Sequence, residues 1–210
     1  ESTNYPFDDK VTFRVETDKE TSFPLHLRSP SWADNARLSF PDGERMNLTS
    51  GEFHAIERTW QHGDEVVLSM SPNIETERRH HGSVSILRGP LVYSYPIDAE
   101  KKLIGGSPPA GDWEFYPAQA WNYGLHIDTA NPSSSISVEK KAINDTPFSP
   151  ENPPVEIGVQ GQLVPEWKLE NNWAGEIPHS PTQVEGEDTE LTLIPYGATN
   201  LRVTEFPLIN

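Results

Sequence analysis

Apolar residues recur at every second position in short runs along this chain, separated by turns rich in Pro, Gly and Asp. "KVTFRVET" sets Val11, Phe13 and Val15 on one face and Thr12, Arg14 and Glu16 on the other. Side chains on a strand alternate with period two, so this spacing predicts half-buried β-strands. "SFPLHLRSP" repeats the pattern through Phe23, Leu25 and Leu27. "RLSFPDGERMNL" predicts a hairpin, with Leu38 and Phe40 before a Pro-Asp-Gly turn at 41–43 and Met46 and Leu48 after it. "HAIERTW" and "DEVVLSM" flank a Gln-His-Gly turn at 61–63, and "GSVSIL" and "PLVYSYPI" flank Arg88-Gly89. Short strands at this close spacing predict an antiparallel sandwich with one wet face per sheet.

The alternation lapses over 98–112, "DAEKKLIGGSPPAGD", where Gly and Pro accumulate. A boundary is expected there. The organisation expected is all-β: two antiparallel β-sandwich domains in tandem, one over 1–100 and one over 101–210. Strand signals return at Tyr123, Leu125 and Ile127, at Ile136 and Val138, at Val155, Ile157 and Val159, at Leu191 and Leu193, and at Leu201 and Val203. Prolines extend the spacer "NDTPFSPENPP" at 144–154 and exclude a helix through it. A short helical turn is expected near 113–120. The chain begins at Glu1 rather than Met, with no signal-peptide pattern after it, and reads as a piece of something longer.

Charge removes several partners. Lys and Arg number 16 against 32 Asp and Glu, a net charge of −16. The excess is spread along the chain: residues 1–100 carry 10 basic and 17 acidic groups, and residues 101–210 carry 6 and 15. Nucleic-acid binding needs a clustered basic face, and anionic membranes repel such a surface, so neither is an expected partner. There is no cysteine, which excludes disulfides, thiolate nucleophiles and Cys-based zinc centres. No run approaches 18 apolar residues.

"ETERRHHGS", at 75–83, places two arginines beside two histidines in this acidic chain. If a strand runs through them, His80 and His81 point to opposite faces and do not share a metal ion. A third ligand would have to come from His26, His54 or His62. The plainer expectation is a solvated strand end before Gly82, with Arg78 and Arg79 pairing Glu75 and Glu77, and no metal site. Arg88, interrupting the apolar run in "LRGPLVY", is expected to make a structural ion pair or a backbone contact at a hairpin. Contact with a neighbouring domain is the alternative.

No nucleophile elbow and no phosphate-binding glycine loop is present. Many acid pairs will meet the carboxylate spacing that glycosidases use, and nothing in the sequence selects one. Glu114, Glu166 and Glu176 lie near tryptophans but read as solvated loop acids. Aromatic residues make a better case for binding: Trp113, Tyr116, Trp121, Tyr123, Trp167 and Trp173 crowd the second half. Their ordinary places are a core or an inter-domain surface. The sharper reading is a glycan platform, with Asn122, Asn171 and Asn172 bonding hydroxyls. Trp32 and Trp60 are assigned to packing.

Three stretches in order, "YPFDDKVTFRVETDKETSFPLHLRSPSWADNARLSF", "RTWQHGDEVVLSM" and "LRGPLVYSYPI", resemble the β-sandwich that follows the catalytic barrel in glycoside hydrolase family 127, the β-L-arabinofuranosidase-type enzymes. "EFYPAQAWNYGL", "PFSPENPPVEI", "VPEWKLENNWAG" and "LTLIPYGATNLRVTEFP" resemble the extra C-terminal domain on gut-bacterial members. The resemblance implies that catalysis belongs to an upstream (α/α)₆ barrel. There a cysteine nucleophile is held by zinc with other cysteines and a glutamate, and a second glutamate serves as acid/base for a retaining hydrolysis. None of those residues maps onto this sequence. The resemblance therefore implies no catalytic residue, metal or cofactor here. The implied partners are the chain's own upstream catalytic domain, a plant-derived glycan and a second copy in a homodimer. The implied setting is extracytoplasmic, in a bacterium.

Overall fold

The computed structural model describes residues 2–209, which divide into two compact units, Glu1–Asn73 and Ile74–Asn210. The first unit contains β1 (Ser2–Thr3), β2 (Lys10–Arg14), β3 (Thr21–Arg28), β4 (Arg37–Ser39), β5 (Arg45–Asn47), β6 (Phe53–Trp60) and β7 (Glu65–Ser69). Five of these strands form an antiparallel sheet in the order β1-β2-β7-β4-β5, and β3 pairs with β6 in a second sheet. Val11, Leu38, Val66 and Leu68 from the first sheet share one core with Leu27, Ile56 and Trp60 from the second. This is the sandwich that the alternation predicts. Trp60 is buried in that core, and its indole N–H donates to the carbonyl of Phe23 at 2.9 Å. The Pro-Asp-Gly turn forms as expected, with Gly43 at φ +86°, a conformation glycine adopts without steric cost. Over this hairpin the Arg58 guanidinium covers the Phe40 ring at 4.4 Å and pairs with Asp42 and Glu44.

The second unit contains β8 (Ile74–Arg78), β9 (Val84–Arg88), β10 (Leu91–Pro96), β11 (Ala99–Gly105), β12 (Asp112–Pro117), β13 (Tyr123–Leu125), β14 (Ile136–Lys140), β15 (Val155–Leu163), β16 (Leu169–Glu170), β17 (Trp173–Ala174), β18 (Glu185–Pro195) and β19 (Arg202–Val203). Its large sheet runs β13-β15-β18-β10-β9-β8, with β14 also on β15 and β19 also on β10. Every pair of named strands in both units is antiparallel. Ile86, Tyr93, Leu125, Ile157, Leu193 and Phe206 are among its fully buried side chains.

The division lies earlier than the 98–112 boundary suggested by composition. Tyr93 and Ser94 on β10 pair with Pro195 and Ile194, and Tyr95 pairs with Val203. Residues 74–96 are thereby part of a sheet completed by strands a hundred residues later. Local alternation finds strands but is blind to partners so distant in sequence. The segment at 98–112 is also not a plain spacer: β11 and β12 form a hairpin that pairs Leu103 with Trp113 and Lys101 with Phe115. The helical turn expected near 113–120 is instead strand as far as Pro117, because aromatic residues at alternate positions suit a pleated surface.

Candidate functional site

β12 ends in Glu114, Phe115, Tyr116 and Pro117, and these residues form one wall of a cleft of about 440 Å³ in the second unit. The small β16–β17 hairpin forms a second wall, with Trp173 and Asn172 at its tip. Leu169 pairs with Ala174 and Glu170 with Trp173, which leaves a two-residue loop, Asn171-Asn172. Both asparagines have positive φ, 53° and 67°, the geometry of a type I′ turn. Asn tolerates that region far better than most side chains, so the dipeptide sets the hairpin. Trp173 is consequently held at the rim, 78% exposed.

Trp121 lies in the cleft wall, largely buried, and packs edge-on against Trp167 with ring centroids 5.0 Å apart. The indole N–H of Trp167 donates to the carbonyl of Gly175 at 3.0 Å, which anchors the base of the hairpin. Across the cleft, the Tyr116 hydroxyl donates to the Glu114 carboxylate at 2.5 Å. That hydrogen bond raises the phenol above its ordinary value, and burial and the carboxylate charge act in the same direction. Arg202, also in the lining, stacks on Tyr196 at 3.6 Å and donates to the carbonyl of Asn200 at 3.1 Å. The cleft therefore offers an exposed indole face, a phenol–carboxylate pair, turn amides and a guanidinium. Such a set suits a neutral, hydroxyl-rich ligand with apolar C–H faces.

Of the residues singled out from the sequence, Tyr116, Trp121, Asn171, Asn172 and Trp173 come together in this cleft. Trp167 stands behind it as packing. Trp113 is 41% exposed on β12 opposite Leu103 and is not part of the lining. Asn122 is committed to structure, its amide donating to the carbonyl of Val164 at 2.8 Å. Tyr123 packs edge-on against Tyr95 at 5.5 Å. Arg88 is buried at the end of β9, in register with Leu91 across the β9–β10 hairpin and with Ile74 on β8. Glu114, Phe115 and Arg202 are among the cleft residues that the count of aromatic residues did not assemble. The signal for Glu114 was its i, i+2 spacing to Tyr116, which puts both side chains on one face of a strand.

Residues 1–71 match the family described as "Beta-L-arabinofuranosidase, GH127 middle domain". Comparison with curated proteins found no match. Among solved structures, the chain is similar to Ara127N-Se, a GH127 β-L-arabinofuranosidase from Geobacillus stearothermophilus T6, at 25% identity and a TM-score of 0.57. That match covers 94% of this chain and 27% of the other. A structure described as a glycoside hydrolase aligns over 100% of this chain and 32% of its own, at 22% identity and a TM-score of 0.60. A GH127 β-arabinofuranosidase aligns over 99% and 31%, at 18% identity and a TM-score of 0.62. At those lower identities the likeness is one of fold. The chain spans about a third or less of the length of the structures it matches.

Proposed function

We propose, from a chain that resembles the β-rich region of GH127 β-L-arabinofuranosidases, that it is the non-catalytic C-terminal β portion of a GH127-like glycoside hydrolase. The observation that carries this reading is the asymmetry of coverage. At least 94% of this chain aligns with only 27–32% of each matched structure, and its first 71 residues match a domain described as the middle one. In this reading the reactive groups lie in the rest of the parent, a retaining β-L-arabinofuranosidase acting outside the cytoplasm of a bacterium. The two β units support its catalytic barrel and contribute to homodimer contacts. The zinc–cysteine centre implied by the resemblance finds no donor set here, because the sequence contains no cysteine. The test is an assay of this 210-residue chain on an aryl β-L-arabinofuranoside. No turnover is expected. Turnover that disappears on mutation of a residue within the chain overturns the reading.

One observation favours a second reading, a carbohydrate-binding module for plant polysaccharide. It is the projection of Trp173 over a cleft that also holds Tyr116, Trp121 and the Asn171-Asn172 turn. Titration with arabinan oligosaccharides, followed by tryptophan fluorescence and calorimetry, is expected to saturate in this reading and to be abolished in Trp173→Ala. No saturation at millimolar oligosaccharide removes it.

A further inference from the structure

β8 stops at Arg78, and the chain then makes a single 3₁₀ turn over His80–Gly82. The argument that adjacent histidines face opposite ways holds only along a strand, and the strand does not reach them. His81 sits at φ +54°, a region that side chains other than Asn, Asp and His rarely enter. That turn swings both imidazoles to the same side, where their rings stack at 3.7 Å. The segment leading into β18 covers His81 and leaves His80 largely exposed. The Ser180 amide donates to the carbonyl of His81 at 2.8 Å, and the ring of His179 stacks on His81 at 3.7 Å, so that His81 lies between two imidazoles. Arg79 takes no part: it pairs with Glu77 at 3.2 Å and reaches Glu205 at 3.8 Å.

We propose that this turn is a divalent transition-metal site of the zinc class, with His80 Nε2, His81 Nε2 and the Glu176 carboxylate as ligands. The tautomer of His81 carries the argument. Its Nδ1 lies 2.7 Å from the carbonyl of Ile177, which only accepts, so Nδ1 holds the proton. In the neutral ring Nε2 is then a bare lone pair, and it faces Glu176 Oε1 at 3.5 Å. A metal ion bound between two acceptors so placed would be shared by both. His80 Nε2 lies 3.4 Å from the same oxygen, and all three ligand atoms fall within 4.8 Å of one another. Ligands around a tetrahedral zinc are separated by about 3.3 Å when the bonds are about 2.0–2.1 Å, so both nitrogen–oxygen spacings fit one ion. A carbonyl that fixes the distal imidazole N–H is the usual outer support of a ligating histidine. Imidazole nitrogens with one carboxylate select zinc, nickel or copper over magnesium or calcium. The ion ties the β8–β9 turn to the strap before β18, segments some 95 residues apart in sequence, and keeps a fourth position for water. His126 and Asp188, 3.2 Å apart in the same unit, have no third ligand beside them among the described residues and serve as the control.

The experiment is a calorimetric titration of the chelator-stripped chain with ZnCl₂, repeated with CoCl₂ and read by visible absorption. One equivalent of Zn²⁺ is expected to bind saturably, with a rise in melting temperature and a tetrahedral Co²⁺ spectrum. Affinity is expected to fall about tenfold or more in His80→Ala and in Glu176→Gln, and to stay unchanged in His126→Ala. Both ligand side chains are largely exposed, and circular dichroism verifies that the variants fold. No saturable binding below roughly 1 mM Zn²⁺ overturns the proposal, and so does binding that both ligand variants retain.

Discussion

The two units are made of the same kind of strand but use their aromatic residues differently. In the first, Trp60 is buried in a core shared by two sheets, and Trp32 packs against it. In the second, Trp121 and Trp167 are buried while Trp113 and Trp173 remain exposed, and Trp121 and Trp173 line a cleft. A sandwich of two facing sheets has one interior, so its large side chains are drawn inward. The second unit adds two hairpins, β11–β12 and β16–β17, that form separate two-stranded sheets with β11, β16 and β17 mostly exposed. Exposed aromatic surface arises where the chain has more strand than one core can absorb.

The largest effect expected from this contrast lies in the first core. Trp60→Ala removes a fully buried side chain and its hydrogen bond to Phe23, and should lower unfolding free energy by about 3–5 kcal/mol. Urea denaturation measures the loss. Hydrogen exchange should quicken first at β3 and β6, where Thr21 pairs with Trp60. A loss below about 1 kcal/mol would place Trp60 among surface residues and erase the contrast. In the second unit the comparable weak point is backbone. A Cβ added at Gly161 on β15 would lie 2.7 Å from the carbonyl oxygen of Gly124 on β13, so the strands must separate. Gly161→Ala should cost about 1–3 kcal/mol, read from the same denaturation curve.

These sites also show how far the residues can be read in one dimension. The first unit was legible because its core follows period two: Ile56 and Trp60 on β6, Val66 and Leu68 on β7. The turn at 41–43 was legible because Pro and Gly have fixed conformational uses. The second unit was legible as strands but not as an assembly. Nothing local says that β10 pairs with β18 and β19, and this moved the division from 98–112 to Asn73. In the cleft, the tryptophans were visible as a group, but their sorting was not. Trp173 is outside because Asn171-Asn172 forms a tight turn, and Trp167 is inside because Gly175 accepts its N–H. For His80 and His81 the opposite-face expectation applied only if a strand ran through them, and β8 ends at Arg78, before the turn that holds them.

Exposure separates stability from function at Trp173. Its replacement by Ala should change unfolding free energy by no more than about 0.5 kcal/mol, because the side chain is mostly in water already. If the cleft binds oligosaccharide, that same variant loses binding while its denaturation midpoint holds. A stability loss of several kcal/mol would instead make Trp173 a packing residue, and the two units would then use their tryptophans alike.

The smallest effect concerns charge over the β4–β5 hairpin and tests whether the first unit owes anything to its surface. Asp42 is held below the usual carboxylate range, first by the hydrogen bond from the Glu44 amide and then by Arg58. A carboxylate whose folded value is depressed adds stability above its unfolded value, near pH 4, and that increment is lost as pH falls through the folded value. Arg58→Ala removes the guanidinium and leaves the Glu44 amide in place. The Asp42 titration, followed by carboxyl NMR, should therefore move up only part of the way, and the acid limb of the stability profile should flatten slightly. Asp42 is exposed and Arg58 only partly so, and added salt should shrink the difference further. An acid limb unchanged in Arg58→Ala would assign the depression to the turn amide alone. The guanidinium would then serve the hairpin chiefly by covering the Phe40 ring.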